Sequence, residues 1–170
     1  MKTAITTCVV AAATFVAISS PATADTSELE GALNGTFRAQ SNGDWAKGNE
    51  MYYAQETVTA TWIITSTCTN PTDCTGQVSS DQGWSAVIYK TSGLWNIRHT
   101  VPRWLPCPDG TAADGLQHYR FYPVSGETGQ VDNSQYDLFA GLDETTGPSG
   151  ACGINRPVLI SLPFKLTRIS

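Results

Sequence analysis

Residues 56–67 alternate with a period of two. Val58, Ala60, Trp62 and Ile64 fall on one side of an extended chain, and Thr57, Thr59, Thr61 and Thr65 mostly fall on the other. β-Branching restricts threonine rotamers in a helix and suits a pleat, so the run is predicted as a strand with one buried face. The same period returns at Trp95, Ile97, His99 and Val101, and at Tyr119 and Phe121 against His118, Arg120 and Tyr122. It returns last at Val158, Ile160, Leu162, Phe164 and Leu166. No ten-residue stretch after residue 24 carries the apolar stripe of a helix. Turn signals (Asn34-Gly35, Asn42-Gly43-Asp44, Asn70-Pro71, Thr91-Ser92-Gly93 and Pro108-Asp109-Gly110) separate the runs. Strands are predicted over residues 36–40, 56–67, 76–80, 84–90, 94–100, 116–122 and 157–169, with weaker ones at 130–131 and 135–141. Pro102, Pro106 and Pro108 are expected to break regular structure, Pro163 to mark an edge or bulge, and residues 145–153 to form a loop. The expected fold is all-β: one antiparallel β-sandwich or up-and-down β-barrel of seven to nine strands, with neither favoured.

The first 24 residues follow a different logic. Lys2 precedes an apolar stretch over residues 4–18, and Ala22-Thr23-Ala24 has the small-x-small form of a signal-peptidase site. The apolar stretch is shorter than the roughly 20 residues that a spanning helix needs. Residues 1–24 are therefore expected to be a signal peptide, 25–34 a flexible segment, and 35–170 a single domain, secreted and without a membrane anchor after processing. Export sets how the cysteines read. Cys8 leaves with the signal segment, and Cys68, Cys74, Cys107 and Cys152 remain as an even set in an oxidising compartment. Four cysteines allow three pairings. Cys68 and Cys74 bracket the Asn70-Pro71 turn, so these two are expected to pair and to leave Cys107 with Cys152. Neither C-x-x-C nor H-x-x-x-H occurs, and no metal or cofactor is expected.

Charge narrows the partners. The chain carries 10 Lys and Arg against 15 Asp and Glu, a formal net charge of −5, with no basic cluster. Nucleic-acid binding rests on neutralising phosphates, and this surface would repel them. The expected partner is an apolar small molecule, a glycan or a protein.

Several short motifs run the length of the domain: Gly35-Thr36-Phe37, Thr61-Trp62-Ile63-Ile64-Thr65, Gly83-Trp84, Gly93-Leu94-Trp95, Cys107-Pro108-Asp109-Gly110-Thr111, Cys152-Gly153 and Pro163-Phe164-Lys165-Leu166. In these the chain resembles a group of small exported β-domain proteins of actinobacteria. Members occur as free secreted proteins and as extracytoplasmic parts of membrane proteins. The resemblance implies a secreted β-fold and supplies no catalytic residue.

The chain's chemistry offers few catalytic constellations. Gly147-Pro148-Ser149-Gly150-Ala151 lacks the last glycine of a nucleophile elbow and reads as a loop. His99 and His118 lie on predicted strands, where either could serve as a base if a hydroxyl and a carboxylate converged on it. Asp109 with Asp114, and Asp143 with Glu144, are carboxylate pairs, and the first is expected to cap turn amides. The five tryptophans carry more weight. Trp62 and Trp95 keep aliphatic company and are expected in the core. Trp45 follows a turn and Trp104 lies between prolines, so both are expected to be exposed or to line a cavity mouth and contact a ligand or partner. The function expected is a secreted, non-enzymatic binding or interaction module, the alternative being a small secreted hydrolase using a strand histidine.

Overall fold

The computed structural model of the chain describes residues 31–170; the expected signal peptide and most of the segment after it lie outside them. Among the described residues there are ten strands: β1 (Gly35–Ser41), β2 (Lys47–Gly48), β3 (Met51–Tyr52), β4 (Val58–Asn70), β5 (Asp73–Ser80), β6 (Ser85–Thr91), β7 (Leu94–Pro106), β8 (Ala112–Pro123), β9 (Leu138–Thr146) and β10 (Leu159–Arg168). Short 3-10 turns lie at Gly43–Trp45 and Ala151–Gly153. β1 and β4 to β10 pair in sequence order, and β10 then pairs with β1. The sheet closes on itself, so the architecture is the up-and-down barrel, with eight strands in the wall. β2 and β3 form an extra hairpin against the start of β10.

Closure consumes both edges of β10. Phe37–Ser41 of β1 takes one side and β9 the other. Pro163 survives inside this strand because its missing N–H faces a gap. β1 pairing ends at Phe164, β2 pairing begins at Ser161, and the Pro163 carbonyl accepts from Asn42 N–H where the chain leaves β1. The expectation of an irregular position is met by a break in the neighbour.

Two sequence expectations are corrected. β7 runs through Pro102 to Pro106, past the predicted stop at residue 100. It does so over a bulge: Val101 pairs with Gly115 and Leu105 with Ala113, so β7 spends two extra residues there. Arg103 takes the left-handed φ of 54° in that bulge, and its N–H donates to Asp114 Oδ1 at 2.8 Å. The second correction is β9, which runs through Thr146, although residues 145–153 were expected to be a loop. Its inward positions after Phe139 are Gly141, Asp143 and Thr145, which leave no apolar alternation to read.

Eight strands make an interior just wide enough for side chains to fill. Here aromatics fill it. The Trp62 ring lies 4.9 Å from Tyr119, 5.3 Å from Phe164 and 5.4 Å from Trp84. Phe37, Phe121 and Phe139 stack edge-on below them. Burying a side chain of phenylalanine size stabilises by roughly 1.5–3 kcal/mol, so this column dominates the core. Trp62 and Trp95 are both buried, as expected.

One end of the barrel is shut. Leu33 is buried there, its N–H donating to Ser66 Oγ at 2.7 Å while that hydroxyl donates back to the Leu33 carbonyl. The Cys68–Cys74 disulfide and Lys90 complete the seal. Lys90 Nζ donates to the Pro71 carbonyl at 2.9 Å, and burial lowers its pKa. Residues 31–34, the described part of the segment expected to be flexible, thus form the plug. The other end opens.

Candidate functional site: the barrel mouth

The open end holds a cavity of about 460 Å³. Its walls come from elements shaped locally for the purpose. After the Arg103 bulge, Trp104 and Leu105 turn toward the opening. The Trp104 ring packs against Gly115: a Cβ there would approach the ring within 2.8 Å and Thr145 Cγ2 within 2.7 Å. Gly147 leaves room for the ring's far edge, where a Cβ would meet Trp104 Cζ3 at 3.4 Å. Cys107, just beyond β7, is bonded to Cys152, which ties this wall to the loop after β9. Opposite stand Val158, just before β10, and Ile160 and Leu162 from its start.

The rim is built by the detour between β1 and β4. Asn42 caps the 3-10 turn by accepting from Asp44 N–H, and Gln55 N–H donates to the Gly43 carbonyl at 3.0 Å. Gly43 must be glycine, because a Cβ would lie 2.1 Å from the Gln55 oxygen. That crossing sets Tyr53, Gln55 and Glu56 over the opening.

The floor is polar. Asp143 is buried, with Oδ2 accepting from Ser41 Oγ at 2.6 Å and Oδ1 from Gln117 Nε2 at 2.7 Å. The Tyr119 hydroxyl also stands against it. Desolvation pushes the Asp143 pKa up to about 6, with the donors from Ser41, Gln117 and Tyr119 pulling the other way. Burial, with the Asp143 charge beside it, raises the Tyr119 phenol far above its ordinary value. Asp143 and Glu56 are the charged residues of the lining; among the described residues no Lys, Arg or His lines it.

The sequence-derived candidates are distributed as follows. Trp104 is half-buried and lines the cavity. Trp45 is 69% exposed on the 3-10 turn and is not part of the lining. Cys68 pairs with Cys74 and Cys107 with Cys152, the expected connectivity. Asp109 caps its turn by accepting from Thr111 N–H, as expected, whereas Asp114 of β8 accepts from Arg103 N–H in the β7 bulge and not from a turn amide. The Asp143–Glu144 pair separates, because neighbours on a strand point to opposite faces. Glu144 is on the outside, paired with Arg120. His99 points inward, stacked on Trp84 with centroids 4.1 Å apart, and burial lowers its pKa. His118 is on the outer face with Nε2 at 3.1 Å from Asn96 Oδ1; burial, Arg98 and Arg120 lower its pKa. The two histidines are not brought together, and neither has a hydroxyl as its hydrogen-bond partner. Ser149 of the degenerate elbow donates to the Asn155 carbonyl in an exposed loop.

Sequence reasoning missed Ser41, Gln117 and the special position of Asp143. One signal was available: counting by twos from Phe139 places Asp143 on the core side, where a carboxylate is unusual.

No known protein family matches the chain, and no curated protein matches it. Among solved structures it is similar to the sensor domain of M. tuberculosis PknI in its monomer form, with a TM-score of 0.56 at 17% identity over 81% of this chain and 87% of that one. At that identity the likeness is one of fold. It places the same barrel in an actinobacterial protein.

Proposed function

We propose that this chain is an exported, non-enzymatic binding module that takes a small, largely apolar ligand into the barrel mouth. The observation that carries the reading is the cavity itself. Its volume of about 460 Å³ lies within the usual range of small-molecule sites, and an apolar band of Val58, Trp104, Leu105, Ile160 and Leu162 lies between a polar floor and a polar rim. Three facts support it. Trp104 is pre-organised by Gly115 and by the Cys107–Cys152 tether, which lowers the ordering cost of binding. Two disulfides suit an oxidising, extracytoplasmic location. A sensor domain with this fold shows that such a barrel serves in signal reception in another protein.

The test is protein-observed NMR with 4-phenylbutanol as a neutral apolar probe. Its chemical-shift changes should concentrate on Trp104, Ile160 and Leu162. Trp104→Ala should weaken binding about tenfold or more, as for an aromatic anchor. His99→Ala and His118→Ala should each stay within about twofold of wild type, provided the far-ultraviolet spectrum is unchanged. A folded histidine variant that lost binding, or shifts spread away from the mouth, would remove the reading.

A further inference from the structure

We propose that the mouth cavity selects an organic ammonium ion, its head seated on the Asp143 carboxylate and its apolar body lying against Trp104, Ile160 and Leu162. The inference rests on reading the cavity as a ligand site and adds the charge of the ligand.

Every partner that the structure provides for Asp143 is neutral. Ser41 and Gln117 each donate to one oxygen, and Tyr119 stands against the group. A carboxylate offers about four lone-pair sites, so at least one remains on a side chain that lines the cavity. Neutral donors orient the carboxylate but do not balance its charge. Among the described residues the cavity supplies no counter-ion, since its other charged residue is Glu56. A buried carboxylate held only by neutral donors gains from a cation beside it. An ammonium head would supply the charge and form a short, charge-assisted hydrogen bond. Trp104 and Tyr53 line the same cavity, and aromatic rings of this kind attract a cation.

The alternatives fit worse. Calcium or magnesium wants six or more oxygen ligands and zinc a set of His, Cys or carboxylate ligands, whereas among the described residues no three His, Cys, Asp or Glu side chains gather into a metal-holding group. An anionic ligand would meet two carboxylates and no cation. A neutral apolar ligand would fill the walls and leave the floor unanswered.

A matched set of probes separates these cases: 4-phenylbutylamine, 4-phenylbutanol and 4-phenylbutyrate share one body and differ in the head. Titrated by NMR at pH 7.5, the amine should bind at the mouth at least tenfold more tightly than the alcohol, and the carboxylate more weakly still. Asp143→Asn should erase the preference for amine while the alcohol still binds, which also reports that the variant is folded. A second arm uses wild-type protein alone. Lowering the pH to 4.5 protonates Asp143, while the amine is an ammonium ion at both pH values, so amine affinity should fall at least fivefold. The groups around Asp143 are Ser41 from β1, Gln117 and Tyr119 from β8, His99 of β7 beyond Gln117, Glu144 next to it in β9, and Glu56 at the rim. The alcohol meets all of them too and should bind equally at both pH values. Equal affinity for the three heads, or an amine preference that survives in Asp143→Asn, would overturn the inference yet leave the mouth a ligand site. Absence of any shift at the mouth with all three probes would overturn both.

Discussion

Asp143 holds a carboxylate where the core demands carbon, and the conflict has a consequence in the absence of any ligand. Its pKa is about 6 in the folded chain against 3.8 as the ordinary value. Folding therefore favours the protonated form. The contribution to stability is fully present below the unfolded value and is lost as the pH rises through about 6. Between pH 7.5 and 4, wild type should gain about 2 kcal/mol relative to Asp143→Asn, which cannot titrate there. Urea unfolding of both proteins across that range measures the difference. Parallel stability curves would mean that water reaches the group and that the floor is not desolvated. Exposed acids such as Asp109 and Asp132, whose hydrogen bonds depress their pKa values, act in the opposite sense and cancel in the comparison.

At the scale of the element, β7 decides the shape of the site. An unbroken strand would have carried its pairing with β8 straight past the opening. Two extra residues after Val101 break that pairing and set Trp104 over Gly115. Arg103 in a left-handed conformation bears the strain, and the Asp114 carboxylate holds its amide. Removing that carboxylate in Asp114→Ala should cost about 1 kcal/mol. Adding Arg103→Gly should recover part of the loss, because glycine adopts the left-handed region without a Cβ penalty. Chemical denaturation of the single and double variants reads this, and hydrogen exchange at residue 103 should quicken in both, since neither keeps the acceptor of that amide. If Asp114→Ala changes neither quantity, Pro102 and its missing N–H suffice to hold the bulge.

For the molecule as a whole, barrel closure and two disulfides divide the labour. The Cys68–Cys74 bridge joins neighbours in one hairpin at the shut end, with a sequence separation of 6. The Cys107–Cys152 bridge spans a separation of 45 and ties the two sides of the mouth. Chain-entropy arguments give roughly 2.4 kcal/mol for the small ring and about 4 kcal/mol for the large one. Replacing Cys107 and Cys152 with serine should therefore lower the unfolding free energy more than replacing Cys68 and Cys74. It should also weaken probe binding at the mouth, which the other pair of changes should leave intact. Equal losses of stability, or binding lost only with Cys68 and Cys74, would refute this assignment of roles.

Much of this was present in the residues taken in order. The Thr-rich alternation of β4, the Thr91-Ser92-Gly93 hairpin, the in-out phase of β8 and the pairing of Cys68 with Cys74 depend on contacts between neighbours in sequence, where periodicity and turn chemistry act directly. The prolines around Trp104 marked it as outside the deep core for the same local reason. Closure of the barrel did not show, because β1 and β10 meet only through the ends of the chain and their register is decided by shared burial of Phe37, Phe164 and Leu166. β9 was half hidden, since its inward face past Phe139 is glycine, aspartate and threonine and shows no apolar rhythm. The floor was hidden altogether. Ser41, Gln117 and Asp143 come from three strands, and what makes them a site is that closure of the barrel buries them against one another, a property that belongs to the packed barrel and to no stretch of the sequence.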